Sequence, residues 1–456
     1  MNQLAKKSDN PLPKEIFKKG LELHHYANTA YPLNGTKVFK PFRTPNNEIN
    51  QAATDTWQKV DELGLYIHIP FCKKRCLYCE YTVLPENTEE LHENYVQLVL
   101  KEISLYKQLI QNKKTVGLDI GGGTPTALSL KNIDNLVSAV LKNQILDEKF
   151  DISIETTPYI AATEPEKIKQ LKQIGINRIS MGVQSIDPKI LEEVGRIDNK
   201  TKILKQATEN IRNADFKRFN VDIMYGFANQ SIESWLATVQ FTVDLDPEYI
   251  TFYRNRYKGT RIEHDSKIVT LDEVNRQYDL AFDFLATKGY KENFGKNTFS
   301  KVKGDPGTSA YLTKRVIEGT PYLGLGLGAQ SFSDTILSYN LGAASKKLNK
   351  YQERLNNNQF PLQDIYQIPT DEVMAKTICV SFYFGYINKQ SFKKKFNENL
   401  ENIFKEEVNF LTENNLMEHD GDLFKLTKKG KDNLTGIIPL FYSNRSKLNL
   451  LNYQPK

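Results

Sequence analysis

From Leu65 onward the chain alternates between short apolar runs and longer segments of helical period. The alternation lasts roughly 200 residues, the signature of a parallel α/β architecture. Six runs read as strands: Leu65–Ile69, Val116–Ile120, Asp151–Glu155, Arg178–Gly182, Asn220–Met224 and Tyr249–Tyr253. The intervening stretches Glu89–Gln108, Ile133–Leu141, Glu164–Ile174, Thr201–Ile211 and Ile232–Thr242 read as helices, with another at Leu271–Lys288. Six units are too few for a closed eight-stranded barrel, and in any such fold chemistry belongs at the C-terminal ends of the strands.

The flanks follow other patterns. Residues 1–60 are polar and interrupted by Pro11, Pro13, Pro32, Pro41 and Pro45, and only Lys14–His25 looks helical. They form an extension that wraps the main domain or covers a pocket. The opening residues hold a basic pair and no apolar run, so they do not read as a signal peptide. In the tail, Glu372–Tyr383, Gln390–Phe396 and Leu400–Asn414 read as helices. Leu416–Glu418 and Leu423–Leu426 form a two-stranded wing around Asp420-Gly421. That winged-helix-like pattern is read as a lid on the barrel in preference to a DNA-binding module. The expected division is 1–60 extension, 61–300 barrel, 301–360 connecting segment and 361–456 substrate-covering domain.

Composition changes the picture little. The 456 residues suffice for a large core, and a net charge of +6 from 61 basic and 55 acidic side chains is mild. No nucleic-acid partner is implied. The 23 tyrosines and 24 phenylalanines serve either a core or a pocket for a flat substrate. Mean hydropathy is −0.51, and no run approaches the ~18 apolar residues of a membrane span. The expectation is a soluble, cytoplasmic protein with reduced thiols.

The chemistry concentrates where the strands end. Of four cysteines, three (Cys72, Cys76 and Cys79) sit in LYIHIPFCKKRCLYCEY, residues 65–81. Three thiolates at CxxxCxxC spacing suit three irons of a [4Fe–4S] cube, leaving the fourth iron for an exchangeable ligand. A zinc site, which needs a fourth donor, and a disulfide with one spare thiol are the alternatives. Cys379, in an apolar helix, reads as core. After the second strand, Gly121-Gly122-Gly123-Thr124-Pro125-Thr126 frees the backbone for close approach to a ligand. Glu155 closes the third strand, Gln184 follows the fourth in RISMGVQS, and Arg196 comes shortly after. Asp222 interrupts the apolar fifth strand, an expensive position unless the acid is paired or bound. The sixth strand continues into YITFYRNRY, residues 249–257, where Arg254 and Arg256 at i,i+2 read as an anchor for a carboxylate or phosphate. Further on, PYLGLGLGAQSFSD, residues 321–334, alternates Gly324, Gly326 and Gly328 with leucines, a strand with an accessible backbone but no dinucleotide fingerprint.

YIHIPFCxxxCxYC, GGGTP, E-x-x-P, GVQS and N-x-D-x-M-Y-G together resemble the radical S-adenosylmethionine (SAM) enzymes. The likeness is to the branch of oxygen-independent coproporphyrinogen III oxidase and its relatives, and it covers about residues 60–450. The resemblance implies an open, partial (β/α)6 barrel with a [4Fe–4S] cluster on Cys72, Cys76 and Cys79. SAM would be held by Gly122, Gly123, Thr124, Glu155, Gln184, Arg196, Asp222, Tyr253 and Asn255. Tyr66 matches a family tyrosine associated with a second SAM. Gln330 stands where heme-trafficking relatives often carry histidine, and is assigned to substrate or to the second SAM. Tyr81 replaces the fourth cysteine usual in the oxidase itself. Tyr66, Arg254, Arg256 and Gln330 are the expected catalytic or substrate residues. The first expectation for function is methyl or methylene transfer from a second SAM to an aromatic, unsaturated or tetrapyrrole substrate. Oxidative decarboxylation of porphyrinogen propionates and heme delivery are the alternatives. A flavodoxin- or ferredoxin-like electron donor and a monomer complete the expectation.

Overall fold

The strand ends named above are brought together by one curved sheet. A computed structural model describes residues 11–26, 29–33, 35–84, 88–197 and 199–454. The opening residues, in which no signal peptide was read, lie outside the described ones. All six expected strands form: β1 (Glu62–Ile69), β2 (Lys114–Gly122), β4 (Ile152–Thr156), β5 (Arg178–Gln184), β6 (Phe219–Tyr225) and β7 (Tyr249–Arg254). A two-residue β3 (Ile145–Leu146) pairs with β2. The six pair in parallel in the order β1-β2-β4-β5-β6-β7. Short β8 (Thr298–Ser300) adds antiparallel to β7. On the other side β9 (Tyr322–Leu325) runs parallel to β1, followed by antiparallel β10 (Gln330–Phe332), β11 (Ile336–Asn340) and β12 (Leu362–Gln367). Strands β8 and β12 end the order unpaired with each other, so the sheet is a partial barrel.

The expected helices lie between the strands, and local sequence explains where several begin. Thr88, Ser129 and Ser231 each accept a backbone N–H in the first turn of Glu89–Ile110, Leu130–Leu141 and Ile232–Asp244. Thr270 and Glu273 close a reciprocal capping box on Leu271–Thr287. Within each strand the two-residue period sorts side chains. Leu65, Ile67 and Ile69 of β1 enter the apolar core under the helices, whereas Tyr66 and His68 line the barrel cavity. Ile152 and Ile154 alternate in the same way with Ser153 and Glu155. Phe219, Val221 and Ile223 alternate with Asn220 and Asp222.

The flanks depart from the sequence pattern. Besides Pro13–Glu22, the first sixty residues carry helices at Gly35–Phe39 and Ile49–Lys59. The latter buries Ile49, Ala53 and Trp57 on one face, a helical spacing that its polar surroundings obscured. Residues 400–414 break into Leu400–Ile403 and Lys405–Glu413, and the wing gains a third strand, Tyr386–Asn388, beside Met417–Asp420 and Leu423–Leu426. The glycine-rich strand stops at Leu325. Gly326 and Gly328 adopt φ of +99° and +73°, a turn into β10, and a Cβ on Gly326 would sit 2.6 Å from the His68 carbonyl oxygen.

Ile16, Leu23 and Tyr31 share a second apolar core with Ile437, Leu440 and Tyr442, so the two chain ends pack together. Tyr31 donates to Glu372 and approaches Ser446 Oγ at 3.0 Å.

Glu102 ties the Gly326 turn to the barrel. Fully buried, it accepts from Gly326 N (2.7 Å), Asn340 Nδ2 (2.7 Å) and Tyr351 OH (2.5 Å). Burial pushes its carboxyl up to about 7, outweighing these donors. The folded protein therefore keeps a proton that the unfolded chain releases near pH 4.5. The stability tied to that proton is complete below the unfolded value and is lost as pH rises through about 7. Glu102→Gln does not titrate and is expected to cost ~1–3 kcal/mol near pH 5. The difference from wild type should shrink toward pH 8, by up to about 3 kcal/mol. Urea melts at the two pH values test this, and a difference that widens with pH refutes it.

Candidate active site

The barrel encloses a cavity of about 1010 Å³. Its wall is built from the inner-face residues of the parallel strands. His24 and His25 from the N-terminal segment, and Lys376, Tyr383 and Lys431 from the C-terminal region, complete it. Residues of the tail thus form part of the cavity wall, and the N-terminal segment both packs on the tail and lines the cavity.

Beyond β1, Pro70 releases the chain into the cysteine loop, whose backbone is held at both ends. Leu84 N returns to Pro70 O at 2.8 Å, and Leu77 N reaches Val194 O at 3.1 Å. Arg75 closes the loop internally on Cys79 O at 2.7 Å. All four cysteines are free thiols, so the disulfide alternative has no support here. Cys379 is buried in the helix Thr370–Ser381, as a core residue. Burial, the neighbouring Cys79 and Cys76, and the opposing donation from Thr124 leave the Cys72 thiol pushed up to about 11. Thr124 Oγ1 lies 3.5 Å from Cys72 Sγ, and Arg196 Nη1 points at Cys76 Sγ from 3.7 Å. Among the described residues no group of three or more His, Cys, Asp or Glu side chains has the arrangement of a single-ion site. Three clustered thiols with hydroxyl and guanidinium donors, and no gathered fourth ligand, fit a cluster with one open position.

The glycine turn abuts this loop. Gly123 N donates to Ile69 O at 2.7 Å, and a Cβ on Gly123 would fall 2.6 Å from Phe71 O. Gly122, at φ +115°, would drive a Cβ to 2.5 Å from the His68 ring. Glu155 accepts from Gly122 N at 3.0 Å, and burial, then the charge of Asp222, pushes its carboxyl up to about 7. Asp222 is paired as an acid inside a strand must be: Ser180 Oγ donates at 2.8 Å and Asn220 Nδ2 at 2.7 Å.

Gln184 ends β5 in a left-handed conformation, φ +67°, where pairing with β6 slips by one residue. Its Oε1 is buried with no partner. Arg196 links this bend to the cysteine loop, donating to Gly182 O and, at 3.4 Å, to Tyr78 OH. Asn255 is 3% exposed, and neither amide atom has a partner of hydrogen-bonding geometry. Unsatisfied polar atoms on Gln184 at the end of β5, on Arg196 beyond it and on Asn255 just past β7 suit a polar ligand in this region.

The two arginines do not act as one fork. Arg254 Nη2 faces His24 Nδ1 at 2.6 Å, whereas Arg256 pairs with Glu80. Tyr66 OH lies 3.2 Å from His68 Nδ1, and His68 Nε2 bonds Thr82 O at 2.9 Å. Gln330 is clamped by two cavity tyrosines, accepting from Tyr322 and donating to Tyr339 OH at 2.9 Å. Asp119 was missed. It shares the cavity, receives Ser309 Oγ at 2.8 Å, leaves Oδ1 unpartnered and is pushed up to about 7 by burial. The signal was available, since it too is an acid within an apolar strand. Tyr78 and His24 carried no comparable signal.

The Radical SAM superfamily model matches residues 66–242, which include the three cysteines, Gly122–Thr124, Glu155, Gln184, Arg196 and Asp222. The chain is 26% identical over 390 residues to the heme chaperone HemW of Buchnera aphidicola, covering 83% of this chain and 98% of that one. It is 25% identical over 450 residues to the oxygen-independent coproporphyrinogen III oxidase of Synechocystis, covering 92% and 93% respectively. Among solved structures, coproporphyrinogen III oxidase (HemN) from Escherichia coli shares the fold with a TM-score of 0.72 at 21% identity. That match covers 87% of this chain and 93% of the other.

Gly123→Ala tests the packing of loop on turn. Its Cβ meets backbone, which cannot swing aside as a side chain can. The expected result is lowered iron per chain after anaerobic reconstitution, with SAM cleavage slowed on the order of a hundredfold. Iron content and cleavage equal to wild type would show that the contact is not limiting.

Proposed function

Since the chain belongs to the radical SAM superfamily and is homologous to its coproporphyrinogen III oxidases and heme chaperones, we propose that it oxidatively decarboxylates propionate side chains of a reduced tetrapyrrole. Carbon transfer from a second SAM has no counterpart in the names of these relatives, which favour the two alternatives over that first expectation. Between oxidase and heme delivery, the observation that carries the choice is the state of the cavity histidines. Arg254 donates to His24 Nδ1, which puts the His24 proton on Nε2. His25 Nε2 bonds Val269 O at 3.0 Å and its Nδ1 is enclosed, while both nitrogens of His68 are engaged. Among the described cavity imidazoles the one unpartnered lone pair, on His25 Nδ1, is buried away from the cavity surface, so none is accessible to a heme iron. Gln330, in the position where trafficking relatives often have histidine, agrees.

When bound, the cluster and SAM supply the 5′-deoxyadenosyl radical. The net reaction converts a propionate to a vinyl group and carbon dioxide, its hydrogen atom passing to the 5′-deoxyadenosyl radical to give 5′-deoxyadenosine and the remaining electron to a one-electron acceptor. In this reading Cys72, Cys76 and Cys79 hold the cluster, and Arg196 and Thr124 donate toward the sulfurs. Gly122, Gly123 and Thr124 admit the methionyl end of SAM, and Glu155 accepts from its ribose. Gln184, Asp222, Tyr253 and Asn255 surround the rest. Tyr66, Gln330 and Arg254 face the remaining volume, where substrate would sit with water excluded. Arg256 would stay with Glu80 unless substrate displaces it. A one-electron donor of the flavodoxin or ferredoxin kind, a monomeric state and a cytoplasmic location belong to the same proposal. No described helix is long and apolar enough to cross a membrane.

Anaerobically reconstituted protein given methyl-deuterated SAM, reductant and coproporphyrinogen III should release carbon dioxide and 5′-deoxyadenosine together, with vinyl products free of label. Cys76→Ala should lose the cluster absorbance and both products. Label carried into the product would instead identify carbon transfer. Tight heme binding with no product would identify delivery.

A further inference from the structure

One region of the cavity wall holds two cations with no acid to meet them. Arg315 lies on the π-helical turn Lys314–Glu318, an irregularity often found at functional sites. Its guanidinium sits 4.2 Å over the Tyr322 ring and 5.8 Å from the Tyr311 ring centre, donating to Tyr311 OH at 3.2 Å. Lys376, from the C-terminal helix Thr370–Ser381, is only 5% exposed, with its ammonium 5.3 Å over Phe332. Both side chains line the cavity.

Four acids on neighbouring elements are engaged elsewhere. Glu372, one turn before Lys376, is held by Tyr31 and by Ser443 Oγ at 2.7 Å. Glu318 pairs with Lys314, Asp334 with Lys395 and Asp364 with Arg43. Among the described residues, Arg315 and Lys376 have no ion-pair partner. Two like charges brought together under aromatic rings and left without a counter-ion raise one another's cost. Burial, with the charge of Arg315 adding to it, pushes the Lys376 ammonium down to about 7. A fold retains such a pair at a stability cost when an anion completes it.

We propose that Arg315 and Lys376 form a carboxylate receptor in the cavity wall that takes one propionate of the tetrapyrrole. The assignment rests on the decarboxylase reading for the identity of the ligand. A guanidinium offers a planar two-point fork to a carboxylate, and the ammonium a third donor. Tyr322, on which Arg315 stacks, is tied through Gln330 to Tyr339, so the receptor is braced by the sheet edge β9–β11. Lys376 comes from the tail and Arg315 from the segment before β9, so a bound propionate would also fasten the covering region to the barrel.

The test uses the full-length reconstituted protein and binding, without turnover. Coproporphyrin III and its tetramethyl ester are titrated by fluorescence quenching into wild type, Arg315→Gln, Arg315→Lys and Lys376→Met, and SAM binding is measured in parallel. Each neutral variant should bind coproporphyrin about tenfold or more weakly. Arg315→Lys should recover part of the loss, and binding of the ester should be the same in all four proteins. Lys376→Met should raise the ligand-free melting temperature, because it deletes an uncompensated buried charge; this also shows that the variant folds. Equal coproporphyrin affinity in wild type and variants, or equal losses for the ester, overturns the receptor. Variants that lose SAM and keep coproporphyrin would give these cations to a SAM carboxylate and likewise overturn it. Wild type that binds no coproporphyrin sinks both the receptor and the decarboxylase reading. Receptor behaviour with no carbon dioxide release sinks only the decarboxylase reading.

Discussion

The arrangement of this site depends on a backbone contact between two adjacent parallel strands. β1 and β2 pair through to their C-terminal ends, Ile69 opposite Gly122, and Gly123 N then closes on Ile69 O. That contact presses the glycine turn against the root of the cysteine loop, with no space for a Cβ at Gly121, Gly122 or Gly123. Any side chain there would push Glu155, His68 or Phe71 outward. The three glycines therefore set the distance between a thiol-bearing loop and a ligand-accepting turn. Arg196, beyond the helix that follows β5, couples the loop a second time by donating to both Gly182 O of β5 and Cys76 Sγ.

The barrel interior is polar, and this reverses the usual economy of a buried sheet. Asp119, Glu155 and Asp222 point inward from three strands, and burial raises all three carboxyls. Asp222 is satisfied by its neighbours, whereas Asp119 keeps one oxygen unpartnered. These acids share the cavity with Arg315 and Lys376, which come from helical segments and not from the strands that carry the acids. The apolar alternates on the same strands, Ile67, Ile154, Val221 and Ile223 among them, support this by filling the core beneath the helices.

The barrel was legible because each strand carries its own short-range signal: an apolar run, a breaker and a motif at a fixed offset. Gly122–Thr124, Glu155, Gln184, Arg196 and Asp222 were singled out for that reason, and they lie on or just beyond the parallel strands β2, β4, β5 and β6. Where reading failed, the determining contact was remote in sequence. Helix Ile49–Lys59 is polar apart from one face, and its burial comes from packing. The alternating glycines look like a strand, yet Gly326 is forced into a turn by the His68 carbonyl from another segment. Arg254 and Arg256 share a spacing that suggests a fork, but His24 and Glu80 draw them apart. No local pattern could have joined Arg315 to Lys376, which are separated by sixty residues and meet at the cavity wall.

This difference explains why cofactor chemistry was easier to read than substrate. The residues proposed to hold the cofactor lie on or near the parallel strands, whose order and register are fixed by sheet pairing. The side of the cavity proposed for substrate is finished by segments outside that repeat: His24 and His25, Arg315, Gln330 and Lys376. These segments meet one another through the second apolar core, where Tyr31 and Tyr442 pack beside Glu372 and Ser443. A change in the termini can therefore reshape the substrate wall while leaving the strand-end motifs untouched. Relatives named for oxidation and for heme delivery can share those motifs and differ in the groups that face the tetrapyrrole. In this chain the proposed wall carries buried or hydrogen-bonded imidazole nitrogens and two cations without an ion pair, the basis for preferring carboxylates to iron in the decarboxylase reading.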